Sequence, residues 1–253
     1  MRYSYEDLAG MIDHSLLHPT MTDRDLEAGC CLAAQYRVAS VCIKPYAVKK
    51  AAELLQGTGV KVGTVVGFPH GGNTTECKRY ETEVACRDGA TEIDMVINLG
   101  KALSGDWEYV EQDIRAVVVE AHRHGAIVKV IFENDFLPTD ELKVRLCQIC
   151  ERAEAEFVKT STGYGFVKGA DGKYTYQGAT EHDLRLMRAN CSPKVQVKAA
   201  GGVRDLDALI QVRDLGGTRC GATATATMLE EYKKRAATGA FGAGSSSLGT
   251  GGY

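Results

Sequence analysis

The sequence is poor in the features that mark several large protein classes. It has one tryptophan and five prolines in 253 residues, and no proline-rich linker divides it. No apolar run approaches the roughly 20 residues needed to span a bilayer. The first residues, Met1-Arg-Tyr-Ser-Tyr-Glu-Asp7, lack the apolar core of a signal peptide, and a cytoplasmic protein is expected. There is no basic excess either: 30 Lys and Arg are interspersed with 33 Asp and Glu, for a formal charge of -3. This argues against a nucleic acid or a membrane surface as partner. Nine cysteines, an odd number scattered through apolar segments, are expected to be free thiols.

What the chain does contain is an alternation. Short runs rich in Val, Ile and Phe recur at Met11-Ile12, Ala39 to Ile43, Lys61 to Gly67, Glu92 to Ile97, Ile127 to Phe132, Phe157 to Thr160, Val195 to Ala199 and Gly217 to Arg219. Between them lie segments of helical period, among them Thr22 to Gln35, Thr74 to Arg87, Trp107 to His124, Asp140 to Ala155 and Thr180 to Ala189. Thr22 and Thr139, each preceding acidic residues, are expected N-caps. Eight strands alternating with helices call for an α/β fold with a parallel sheet closed into a (β/α)8 TIM barrel. One domain is expected over residues 1–235. From Ala236 the composition shifts to Ala, Gly, Ser and Thr, and residues 236–253 are expected to form a flexible tail ending in Tyr253.

Catalytic groups of such barrels stand at the C-terminal ends of the strands. Three polar residues fall there: Asp94, Lys159 and Lys198. An isolated strand-end lysine most often carries its amine out to solvent. Two on neighbouring strands are harder to dismiss, because burial and a nearby cation both lower a lysine pKa and make the amine a better nucleophile. Alternation sends Glu92, Asp94 and Val96 to one side of their strand, and a carboxylate inside a barrel needs a cationic partner. On composition alone, a purely structural ion pair accounts for these residues equally well. Glycine-rich loops at Thr160-Ser-Thr-Gly163, Gly201-Gly-Val-Arg204 and Cys220-Gly-Ala-Thr223 offer backbone N–H groups for a phosphate. His14 and His18 have an HxxxH spacing but no third ligand in sight, and Cys147-Gln-Ile-Cys150 is read as helix packing. Cys42, at a strand end, is the one thiol placed to be reactive.

Three segments, Phe157-Val-Lys-Thr-Ser-Thr-Gly163, Val197-Lys-Ala-Ala-Gly-Gly-Val-Arg204 and Glu92-Ile-Asp-Met-Val-Ile-Asn98, resemble the deoxyribose-phosphate aldolase family. Ile12-Asp-His-Ser-Leu-Leu-His-Pro19, Val41-Cys-Ile-Lys-Pro45, Val66-Gly-Phe-Pro-His-Gly71 and Thr218-Arg-Cys-Gly-Ala-Thr223 support the likeness, which spans roughly Asp13 to Arg235. The resemblance implies a lyase with no metal and no cofactor. It would cleave 2-deoxy-D-ribose 5-phosphate to D-glyceraldehyde 3-phosphate and acetaldehyde in deoxyribonucleotide catabolism, as a homodimer or homotetramer. It implies Lys159 as the Schiff-base lysine, Lys198 as the lysine that tunes it, Asp94 as the acid/base carboxylate working through a water, and Asp13 as support for the proton network. Phosphate would rest on amides near Gly163, Gly201, Gly202, Ala222 and Thr223. Tyr253 resembles a terminal tyrosine that in some members folds over the site. The chain departs from the family at Tyr164 and Thr223, where some members carry a basic residue and a serine, and at Glu133-Asn-Asp-Phe136, where a Glu-Thr pair is commoner. Another Schiff-base aldolase, an isomerase or epimerase without an imine, and a silent sugar-phosphate-binding barrel are the rivals.

Overall fold

A computed structural model describes residues 2–239 and residue 248. In chain order the strands are β1 (Ile12–Leu16), β2 (Ser40–Ile43), β3 (Lys61–Val66), β4 (Glu92–Val96), β5 (Ile127–Ile131), β6 (Phe157–Lys159), β7 (Val167–Lys168), β8 (Tyr174–Thr175), β9 (Gln196–Ala200) and β10 (Arg219–Ala222). All but β7 and β8 form one closed parallel barrel, in the order β1-β10-β9-β6-β5-β4-β3-β2. The expected (β/α)8 architecture is therefore present.

Helices α1 (Tyr5–Ala9), α2 (Asp23–Tyr36), α3 (Val48–Leu54), α4 (Thr75–Arg87), α5 (Leu99–Leu103), α6 (Trp107–Arg123), α7 (Asp140–Arg152), α8 (Glu181–Ala189), α9 (Leu206–Asp214) and α10 (Thr225–Thr238) connect and cover the strands. α6 shows the logic. Val110, Ile114, Val117, Val118 and Ala121 are all buried, at the three- and four-residue spacing that places them on one face against the barrel. Asp106 caps its first turn through the Tyr109 amide. Thr22 forms a full capping box with Asp25. Thr139 stands at the start of α7 in extended conformation, but its side chain makes no capping bond.

Two strands lie further along the chain than expected. β1 continues through Asp13-His-Ser to Leu16 rather than stopping at Ile12, and β10 begins at Arg219 instead of ending there. Charged residues break an apolar pattern, yet here Asp13 and Arg219 face a barrel interior that neutralises them, so the polar stretch is strand. The hairpin β7–β8 lies in a stretch with no expected strand. Asp171-Gly172 turns it, with Gly169 N donating to Lys173 O at 2.7 Å and Asp171 Oδ1 accepting from Lys173 N at 3.0 Å. α10 runs past Arg235 to Thr238, so the first residues assigned to the tail are helical. Among the described residues no helix is long and apolar enough to cross a membrane.

Candidate active site

Strand register decides which residues meet inside the barrel. Asp94 on β4 pairs with Lys129 on β5, and Lys159 on β6 pairs directly with Lys198 on β9. Neighbouring residues in register point to the same side of a sheet, so all four enter the interior together. Asp13 from β1, Glu92 from β4 and Arg219 from β10 join them.

Lys159 Nζ donates to Asp94 Oδ2 at 2.6 Å, and Lys198 Nζ donates to the same oxygen at 2.7 Å. Lys198 also reaches Asp13 Oδ2 at 2.5 Å. Lys129 lies below, bridging Glu92 Oε2 at 2.6 Å, Asp94 Oδ1 at 2.9 Å and Asp13 Oδ2 at 3.1 Å. Arg219 closes the lower layer with ion pairs to Asp13 and, at 2.8 Å, to Glu92. Ser40 Oγ donates to Asp13 Oδ1 at 2.7 Å. Four cations thus face three carboxylates, and the cluster reaches neutrality when one ammonium gives up its proton.

The wiring says which one. Among the described residues Lys129 pairs with three carboxylates, Lys198 with two and Lys159 with one. Burial presses the pKa of each lysine down. At Lys159 it prevails, aided by the Lys198 charge, and the amine is held below its usual range despite Asp94. At Lys198 burial is outweighed by Asp13 and Asp94, which hold the ammonium above that range. Lys129, outweighing burial through Asp13, Asp94 and Glu92, lies well above it. Burial works to raise Asp94, but Lys129, Lys159 and Lys198 overcome it and keep the carboxylate ionised. A buried amine whose pKa is lowered, beside a fixed ammonium and a carboxylate, can on losing its proton attack a carbonyl and hand protons to and from its neighbours.

Cys42 is on β2 inside the same interior, but burial, helped by Asp94, pushes its thiol up to about 11. It is held neutral, which removes the nucleophilic thiolate. Gly201, Gly202, Ala222 and Thr223, from the loops after β9 and β10, converge on one pocket with Ser15, Tyr176 and Arg204. Gly163, expected in that group, does not line it. His14 is buried and bonds Thr225 Oγ1 at 2.9 Å, whereas exposed His18 bonds Thr20, so the two do not converge. Cys147 and Cys150 are buried in α7 as packing residues. Tyr253 lies outside the described residues.

Three features escaped the sequence reading. Lys129 was passed over because Ile127-Val-Lys-Val-Ile131 reads as an apolar strand; its parity with Asp94 is the signal that marks it. The sequence pattern ends a strand at Arg219, where the structure begins one. Glu133, two residues after β5, is buried at positive φ (56°), and its carboxylate accepts from Thr162 N at 3.1 Å and from the Thr162 hydroxyl. Burial raises this carboxyl to about 7, against the Thr162 bonds that lower it. It thereby clamps the loop that follows Lys159.

Comparison with known proteins places these residues in context. The profile of the DeoC/LacD family aldolase matches residues 8–234. A deoxyribose-phosphate aldolase of Rhodopirellula baltica is 53% identical over 233 residues, covering 92% of each chain. Another, of Clostridium perfringens, is 46% identical over 225 residues, 89% of this chain and 95% of that one. The tetrameric deoxyribose phosphate aldolase of Aeropyrum pernix superimposes with a TM-score of 0.80 at 31% identity, over 91% of this chain and 92% of that chain.

Proposed function

Because the chain belongs to the DeoC/LacD family of aldolases, we propose that it cleaves 2-deoxy-D-ribose 5-phosphate reversibly to D-glyceraldehyde 3-phosphate and acetaldehyde through a Schiff base on Lys159. The observation that carries this reading is the graded pairing of the three interior lysines, which leaves Lys159, at the strand end, as the amine with one carboxylate partner.

The neutral Lys159 amine adds to the C1 aldehyde of the open-chain sugar, and loss of water gives an iminium. That cation is the electron sink. A base removes the C3 hydroxyl proton, the C2–C3 bond breaks towards the iminium, and glyceraldehyde 3-phosphate leaves. Asp94, acting through a water and supported by Asp13, moves this proton. The enamine is then protonated at C2, and hydrolysis releases acetaldehyde and restores the amine. Lys198 stays charged throughout, lowering the Lys159 pKa and balancing Asp94. Cys42 contributes shape rather than nucleophilicity. The pocket at Gly201, Gly202, Ala222 and Thr223 receives the phosphate at the start of α10, where backbone N–H groups and the helix dipole favour an anion.

The reading includes no metal and no cofactor. It puts the enzyme in the cytoplasm, in deoxyribonucleotide catabolism, as a homodimer or homotetramer, the latter being the assembly of the Aeropyrum relative. Incubation with 2-deoxyribose 5-phosphate followed by borohydride reduction is expected to leave a stable adduct on Lys159, found by mass spectrometry. The Lys159→Ala protein, folded by circular dichroism, is expected to give neither adduct nor cleavage. A folded wild-type protein without an adduct at Lys159 would refute the Schiff-base assignment.

A further inference from the structure

The hairpin β7–β8 sits on the rim of the barrel, between β6 and α8, and its base is fastened to the loops after β5 and β9, the second of which lines the phosphate pocket. On one side Asp135, in the loop after β5, accepts hydrogen bonds from Gln177 N at 2.7 Å and Gly178 N at 3.0 Å. On the other, the hairpin returns against the loop after β9, where Ala179 N donates to Gly201 O at 3.1 Å. Gly178, at φ +70°, packs so closely there that a Cβ would stand 2.9 Å from the carbonyl of Gly201. Only glycine fits such an approach at that backbone angle.

This anchoring delivers one side chain into the pocket. Tyr176, the residue after β8, is 8% exposed, and its ring is backed by Phe166 with centroids 5.4 Å apart. Its hydroxyl lies directly over Gly201: a Cβ added to that glycine, itself at φ +85°, would come within 1.9 Å of the phenol oxygen. The absent Cβ is the space the hydroxyl occupies. Tyr176 shares this pocket with Gly202, Ala222, Thr223 and Arg204.

We propose that Tyr176 is a specificity-determining residue whose hydroxyl donates a hydrogen bond to the phosphate of the substrate, so that the hairpin sets part of the preference for phosphorylated over unphosphorylated sugar. The proposal rests on the aldolase reading above. The chemistry favours it. A phosphate needs many donors, and Arg204 is the one cationic side chain among the residues lining the pocket. A phenol held rigidly by ring packing and by two anchored loop ends adds a donor with little ordering to lose on binding. Because the hydroxyl contacts the phosphate rather than the reacting carbons, its loss weakens binding in ground and transition state alike, which shows in KM and not in kcat.

The test is Tyr176→Phe, which keeps the ring and its packing. With 2-deoxyribose 5-phosphate, KM is expected to rise about tenfold, the effect of one hydrogen bond to a charged group, with kcat unchanged. The inhibition constant of inorganic phosphate should rise in parallel. Cleavage of unphosphorylated 2-deoxyribose should stay as in wild type. An equal loss on both sugars, or unchanged phosphate inhibition, overturns the role given to Tyr176. The aldolase reading itself fails on a different result, the absence of a borohydride-trapped adduct on wild-type Lys159. A wild-type adduct together with an indifferent Tyr176→Phe protein would therefore sink only the hairpin's part.

Discussion

Replacing Lys198 by Leu removes one buried charge from beside Lys159, and the structure allows the effect to be sized. Both amines hydrogen-bond the same Asp94 oxygen, at 2.6 and 2.7 Å. Their nitrogens are therefore at most about 5 Å apart. At an effective dielectric of about 20, two unit charges at that separation repel by roughly 3 kcal/mol, or about two pH units on the Lys159 titration. Loss of Lys198 also leaves Asp94 to attract the Lys159 proton with less competition, which acts in the same direction. The pH dependence of borohydride trapping, with wild type and variant both shown to be folded, reads this directly. The limb assigned to the Lys159 amine should move up by about two units, and near neutral pH trapping should slow about a hundredfold, because fewer amines are unprotonated. Above the shifted limb much of the rate should return. A variant whose rate falls equally at every pH, with the limb unmoved, would show that Lys198 does not tune Lys159.

Two further outcomes follow from the lower part of the cluster and from the loop clamp. Lys129→Met leaves Asp13, Glu92 and Asp94 short of a cation in a buried site, so thermal or denaturant unfolding should show a loss of about 3–5 kcal/mol; a variant as stable as wild type would refute the buried network. Glu133 has its folded pKa raised to about 7, with burial the main cause. A carboxyl raised on folding binds more protons folded than unfolded, so its contribution to stability falls as pH rises from its ordinary range to about 7, by at most about 3 kcal/mol. Denaturant unfolding of wild type and Glu133→Gln across that window should show the decline in the first and its absence in the second; parallel curves would refute it.

How much of this was readable beforehand depends on whether a residue's environment is local. The barrel was legible from the count of alternating segments, and Asp94, Lys159 and Lys198 from polar residues expected at strand ends, although only Lys159 ends its strand and Asp94 and Lys198 stand at mid-strand. Lys129 was not legible, since a lysine in the middle of an apolar strand looks like noise until Asp13, Glu92 and Asp94 are brought around it from other strands. Asp13 and Arg219 misled the strand boundaries for the same reason. Their charges are compensated across the chain, Arg219 by Asp13 and Glu92. The hairpin had a local signal, Asp171-Gly172 between Val167-Lys168 and Tyr174-Thr175, but its position over Gly201 is set by Asp135 and Gly178, which only the closed barrel brings near.

The direct pairing of Lys159 with Lys198 across β6 and β9 makes the proposed chemistry sensitive to residue count as well as to residue type. One residue inserted in β6 ahead of Lys159 would turn the amine out towards the helical layer, and two would return it to the interior but roughly 7 Å along the axis, beyond reach of Asp94. Single-residue insertions and deletions there would take Lys159 out of the interior cluster, so on the proposed imine chemistry the permitted length changes are confined to the rim, where the β7–β8 hairpin already occupies one such place.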